Sequence, residues 1–151
     1  MPQSLAQIYL HLVFSTKERK PFLQDPGIRD ELHRYLGGTS NGLDCPVICV
    51  GGVADHVHIL CELGRSVAVS DLARELKRES SAWLKTKSAG LKQFYWQNGY
   101  GAFSISPSHV EGVRTYIQTQ EEHHRKESFQ DEFRRLLTKY KLKWDERYVW
   151  E

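Results

Sequence analysis

Two runs rich in β-branched residues, 45–51 (CPVICVG) and 57–63 (VHILCEL), stand only five residues apart, joined by Gly52-Val53-Ala54-Asp55-His56. So short a connection suits an antiparallel pair. Upstream, residues 6–16 alternate Ile8, Leu10, Leu12 and Phe14 with Tyr9, His11, Val13 and Ser15, the pattern of a strand buried on at least one face. Between this strand and the pair, Asp25-Pro26 supplies an N-cap and a proline at the first helical position. Ile28, Leu32, Tyr35 and Leu36 continue that helix as an apolar stripe, and Gly37-Gly38 is expected to close it.

Downstream, Ser70 is placed to cap a second helix whose Val69, Leu72, Ala73, Leu76, Ser80, Trp83 and Leu84 recur at spacings of three and four. Arg74, Lys77, Arg78 and Lys85 occupy its other face. Ala102 to Ile105 reads as a last strand, followed by a helix that Ser106-Pro107, or Ser108 with Glu111, can start. Phe129, Phe133, Leu136, Leu137 and Tyr140 mark a further helix. The order strand, helix, strand, strand, helix, strand is that of the split βαβ, ferredoxin-like class of α+β domains: a four-stranded antiparallel sheet with helices on one face. No repeat or Pro/Gly/Ser-rich linker interrupts the chain, so residues 1–151 are expected to form a single domain, 1–105 as core and 106–151 as C-terminal helices and tail.

Charge by itself says little, with 21 Lys+Arg against 19 Asp+Glu, but it is segregated. Arg134 to Arg147 holds six basic residues against two acidic ones, whereas Glu121 to Glu132 is acidic on balance. The apolar stretch from Ile8 to Phe14 is far shorter than the roughly 20 residues of a membrane span. Three cysteines and no signal-like segment point away from a secreted disulfide scaffold and toward the cytoplasm. Cys45, Cys49 and Cys61 read as buried small hydrophobes, since no four-ligand zinc set accompanies them. Gly51-Gly52 reads as a bend or bulge.

The segment Asp55-His56-Val57-His58 carries the most chemistry. Side chains alternate along a strand, so His56 and His58 share one face while Val57, Ile59 and Cys61 take the other. Two imidazoles side by side suit one divalent cation, with Asp55 orienting a ligand from behind. They equally suit a solvated sheet face. In the helix after the last strand, Tyr116 and Gln120 are four residues apart and therefore neighbours, a phenol beside an amide oxygen able to ligate a hard cation. An ordinary amphipathic helix would carry the same pair. His123 and His124 diverge by about 100 degrees on a helix and are given no catalytic role.

His56-Val57-His58, the segment Trp96-Gln97-Asn98-Gly99-Tyr100-Gly101-Ala102-Phe103-Ser104, and Tyr116 to Gln120 followed by His123-His124, together with Phe14-Ser15-Thr16-Lys17, resemble the single-tyrosine HUH transposases of small bacterial insertion sequences and the related REP-associated tyrosine transposases. The resemblance implies that His56, His58 and Gln120 hold a divalent metal, Mg²⁺ or Mn²⁺. It also implies that Tyr116 attacks DNA to give a 5′-phosphotyrosine. Substrates would be single-stranded DNA ends with imperfect hairpins, handled by a homodimer in which each Tyr116 helix completes the partner's histidine site. Lys17, Arg19, Lys20, Arg74, Lys77, Arg78, Lys141 and Lys143 are the candidates for DNA phosphates. Two other readings stay open: a catalytically inactive or domesticated single-stranded nucleic-acid binder using Tyr9, Tyr95, Trp96 and Tyr100 for stacking, and a small metal-binding protein with no DNA role.

Overall fold

The computed structural model describes residues 3–151. In chain order its main elements are β1 (Tyr9–Ser15), α1 (Pro26–Gly42), β2 (Val47–Val53), β3 (His56–Glu62), α2 (Val69–Leu84), β4 (Gly101–Ile105), α3 (Val110–Gln118), α4 (Gln120–His123) and α5 (Phe129–Lys139). The sheet has the order β2-β3-β1-β4 with every neighbour antiparallel, the arrangement of a ferredoxin-like α+β fold. No helix among the described residues is long and apolar enough to cross a membrane.

One face of the sheet, Leu10, Leu12, Phe14, Val57, Ile59 and Cys61, packs on Leu32 and Leu36 of α1 and Leu72, Leu76 and Leu84 of α2. Asp25 caps α1 by accepting from the N–H groups of Gly27 (2.8 Å) and Ile28 (3.3 Å). The helix does not close at Gly37-Gly38 but runs on to Gly42. Packing overrides the glycines there: Gly37 and Ser40 are buried, and the Ser40 hydroxyl donates to the Cys45 carbonyl at 2.6 Å. Helix α2 starts after Ala68, so Ser70 lies in its first turn and caps nothing. Cys45 and Cys61 are buried, Cys49 is half-buried, and all three are free thiols.

The other sheet face is covered as well. Val13 and Phe103 pack against Phe129, Phe133, Leu136 and Leu137 of α5, and Leu60 and Ile105 against Ile117 of α3. Gly51 and Gly52 form no bulge. They pair regularly with His58 and Val57, and the irregularity in β2 falls between Val47 and Cys49. Gly51 instead makes room for α3, because a Cβ there would lie 2.4 Å from the Ile117 carbonyl oxygen. Thus the second helical layer rests directly on the strands that carry the histidines.

Candidate functional site

Strand alternation places His56 and His58 on the α3–α5 side of β3, and both are completely buried. Each is held at Nδ1 by a residue behind it. For His56 this is Asp55, with Oδ1 at 2.7 Å, as its position in sequence anticipated. For His58 it is His11 of β1, with Nε2 at 2.8 Å. Both Nε2 atoms therefore point the same way, toward the C-terminal helices.

Helix α3 ends where Thr119 leaves helical geometry, and the chain resumes as α4. This break carries Gln120 inward, with Oε1 3.2 Å from His56 Nε2 and 3.0 Å from His124 Nε2. His124 donates from Nδ1 to the Glu127 carbonyl at 2.6 Å, which aims its Nε2 into the cluster. From α5 comes Glu132, fully buried, whose Oε1 lies 3.3, 3.1 and 3.1 Å from the Nε2 atoms of His56, His58 and His124. The Tyr116 hydroxyl donates to Glu132 Oε2 and accepts from Arg135 Nη2 at 2.8 Å.

The sequence-predicted residues Asp55, His56, His58, Tyr116 and Gln120 thus converge, and they do so within one chain. Helix α3 folds back onto β2 and β3 of its own sheet. Sequence reasoning missed His11, Glu132 and Arg135 and gave His124 no role. The signal for Glu132 was available: residues 129, 132, 133, 136 and 137 form the buried stripe of α5, and a carboxylate on that stripe demands a partner. For His124, divergence of neighbouring helical positions excludes the pair but not one member; His123 turns toward the Tyr116 ring, 4.6 Å away between centroids.

Charge in the cluster is tightly coupled. Burial opposes protonation of His56, but hydrogen bonds to Asp55 and Glu132 outweigh it and raise its pKa to about 9. Burial dominates for His58 and His11, whose values fall. Burial would raise the Glu132 carboxyl, yet hydrogen bonds from His124, His56 and His58 hold it far below the usual carboxylate range. Burial and the negative charge of Glu132 push the Tyr116 phenol above its ordinary value, with Arg135 opposing.

The donor set fits a divalent cation. Four ligand atoms, from His56, His58, His124 and Glu132, lie within 4.8 Å of one another, and Gln120 Oε1 adds a fifth. Neighbouring ligands of an octahedral ion bonded at about 2.1 Å stand about 3 Å apart. The separations of 3.0 to 3.3 Å between the hydrogen-bonded members of the cluster are compatible with that spacing.

The basic candidates fall outside this cluster and differ in what they do. Lys77 is committed to structure: its ammonium donates to the carbonyls of Gln97 (2.9 Å), Asn98 (3.2 Å) and Gly99 (2.7 Å). Together with Gln97, which accepts from the Ser15 N–H at 2.6 Å, it locks the 97–99 segment to the end of β1. Arg74 pairs with Asp71 and Arg78 with Glu75 on the exposed side of α2. Arg19 donates to the Trp150 carbonyl at 3.3 Å, Lys17 lies over the Tyr95 ring, and Lys20 pairs with Glu18. Lys141 and Lys143 are exposed beyond α5.

Among solved structures, the chain is similar to a protein of Deinococcus radiodurans provisionally described as a transposase, with 22% identity, a TM-score of 0.65, and coverage of 80% of this chain and 95% of that one. It is also similar to a REP-associated tyrosine transposase bound to a REP hairpin, with 15% identity, a TM-score of 0.59, and coverage of 82% and 73%. At these identities the likeness establishes the fold. No curated protein matches. The profile of the family described as "Transposase IS200 like" matches residues 4–120, which include both strand histidines, Tyr116 and Gln120, and the chain belongs to that family of tyrosine transposases.

Proposed function

We propose that this transposase cuts and rejoins single-stranded DNA through a 5′-phosphotyrosine on Tyr116, at a site where His56, His58 and Gln120, joined by His124 and Glu132, hold a divalent metal ion. The observation that carries the reading is Glu132. One carboxylate oxygen faces the three imidazoles while the other accepts from the Tyr116 hydroxyl, so one side chain ties ligand cluster to nucleophile.

When bound, a divalent cation supplies positive charge at a non-bridging oxygen of the scissile phosphate and makes phosphorus more electrophilic. A donor set so rich in imidazole suits Mn²⁺ better than Mg²⁺. The protein's own groups do the rest. Asp55 and His11 hold the rings of His56 and His58 at Nδ1 so that each Nε2 faces inward. The Tyr116 proton passes to Glu132 Oε2 as the phenol oxygen bonds to phosphorus. The bond from phosphorus to the 3′ oxygen breaks, that oxygen takes a proton from water and leaves as a 3′-hydroxyl, and the proton held on Glu132 is released to solvent. Arg135, 2.8 Å from the phenol oxygen, offsets the negative charge that develops there. A second 3′-hydroxyl attacking the phosphotyrosine reverses the step and joins new ends, with the ester bond conserved throughout. The hairpin-bound relative supports single-stranded ends folded into hairpins as the substrate class.

The test is an oligonucleotide carrying a hairpin and an unpaired flank, incubated with Mn²⁺ and resolved on a denaturing gel. Wild-type protein should yield a covalent adduct that Tyr116→Phe does not. Binding without any adduct would instead identify an inactive nucleic-acid-binding protein.

A further inference from the structure

Beside Tyr116, helices α3 and α5 leave a cavity of about 580 Å³ between them, floored by β4. Its size falls in the range of small-ligand sites. Arg135 and Lys139 line the α5 wall and His109 stands near the start of α3; no carboxylate lines the cavity among the described residues. Four residues apart, Arg135 and Lys139 share one face of α5 and are separated by about 6 Å along its axis. Glu127 holds the Arg135 guanidinium at 2.9 and 3.2 Å, which fixes its direction. Ile105, Val113, Leu136 and the Tyr140 ring, stacked on Phe103 at 4.7 Å, give the rest of the lining a largely apolar surface, with Ser104, Ser106 and His11 as its polar members. Anion-binding groups around an apolar, aromatic floor are the two halves of single-strand recognition.

Gly112 adds an independent observation. It sits inside α3, where glycine is the least favourable residue after proline. Its backbone does not require glycine, since its φ is not positive, and a Cβ there would meet nothing within 4 Å. It lines the cavity. No close contact and no backbone conformation therefore accounts for the glycine.

We propose that this cavity seats an unpaired nucleotide adjacent to the phosphate that Tyr116 attacks, with the base against Val113 and Tyr140 and its flanking phosphates on Arg135 and Lys139. The assignment rests on the reading of Tyr116 as the nucleophile for single-stranded DNA, and it extends that reading to how the strand is positioned.

The experiment needs neither metal nor cleavage. Full-length protein in EDTA is titrated with the trinucleotide pTpTpT, followed by calorimetry and by NMR. Shifts should map to residues around Val113 and Tyr140. An abasic middle position should weaken binding at least tenfold. Gly112→Leu, which adds bulk at the cavity wall, should also weaken it at least tenfold while the thermal midpoint does not fall. Lys139→Gln, at an exposed position, is the second variant and should cost severalfold with a shallower salt dependence. Wild-type affinity in both variants, or equal binding of the abasic trinucleotide, overturns the proposal. If wild-type protein forms the adduct and Gly112→Leu still binds the trinucleotide normally, only the cavity assignment falls. If the trinucleotide binds as described but no adduct ever forms, the cavity stands and the nucleophile reading falls.

Discussion

Tyr116 donates its hydroxyl hydrogen bond to Glu132, a carboxylate with no exposed surface that also faces three imidazole nitrogens. Without metal, that carboxylate is the counter-charge of protonated His56; in the proposed metal site, its Oε1 would be a ligand. Glu132→Gln keeps the shape and removes the charge. Adduct formation should fall by about two orders of magnitude or more, the usual scale for loss of a proton acceptor. Single-turnover gels measure the rate, and an unchanged rate would take Glu132 out of the chemistry.

The cluster also sets how stability depends on pH in the metal-free protein. His56 has its folded pKa raised to about 9, so its contribution is complete below about 6.5 and is lost as pH rises through 9. At up to about 2.5 pKa units this amounts to about 3 kcal/mol. His58 and His11 have lowered values, so they remain neutral in the fold while the unfolded chain takes up protons, and stability falls on acidification below about 6.5. Glu132, also lowered, adds to that loss below the ordinary carboxylate range. Urea unfolding in EDTA should therefore show a maximum near neutrality, and His56→Gln should flatten the alkaline arm. A monotonic rise to pH 9 would contradict the assignment.

Metal affinity should run the other way, because ligation needs each Nε2 unprotonated. Removing the groups that hold the rings, by Asp55→Ala or His11→Ala, should weaken Mn²⁺ binding about 10- to 100-fold while leaving all five ligand atoms in place. Electron paramagnetic resonance of free Mn²⁺ reads this directly. His11→Gln, which can still bond His58 Nδ1, should recover most of the loss; failure of both variants to move the affinity would leave those hydrogen bonds without a functional role.

Much of this was legible in the chain. Alternation in 6–16 and 57–63 locates β1 and β3 to within a few residues and puts His56 and His58 on one face, because a strand's period of two leaves no other choice. What alternation cannot convey is what lies above that face. The layer formed by α3 to α5 depends on Gly51 admitting Ile117, a contact between residues 66 positions apart. His124 enters the cluster only because the helix breaks at Thr119, and the matched family region ends at 120, before His124, Glu132 and Arg135. Glu132 was readable as a charge on an apolar stripe, but its partners were not, since they come from β3, from Tyr116 of α3 and from His124 just after α4.

Lys77 shows the same limit for basic residues, and it separates two kinds of cation. Its three donors are used by the carbonyls of 97–99, so Lys77→Met should destabilise the fold by about 1–3 kcal/mol by leaving those acceptors unpaired. The salt dependence of single-strand binding should not change. By contrast, each of Lys17, Lys20, Lys141 or Lys143 that meets a phosphate should lower the slope of log affinity against log salt by about 0.7 when replaced. Thermal unfolding and salt titrations of the same variants distinguish the two classes, and a Lys77 variant that is stable yet loses slope would reverse the assignment.

Whether the site is completed by its own chain or by a partner is open to a direct test. Gln120 Oε1 lies 3.2 Å from His56 Nε2, and His58 and Tyr116 ring centroids are 5.9 Å apart, all within one chain. In an exchanged dimer the partner's α3 would lie on the same strands and bury the same Leu60 and Ile105. The arrangement closed within one chain is the one proposed for catalysis, whether or not chains associate. Mixing inactive His58→Ala protein with inactive Tyr116→Phe protein tests it. With sites closed in each chain, every chain carries one defect, and the mixture should stay inactive at all ratios. Recovery toward a quarter to a half of wild-type adduct after subunit exchange would show that Tyr116 serves the partner's histidines, and the intrachain assignment would then fail.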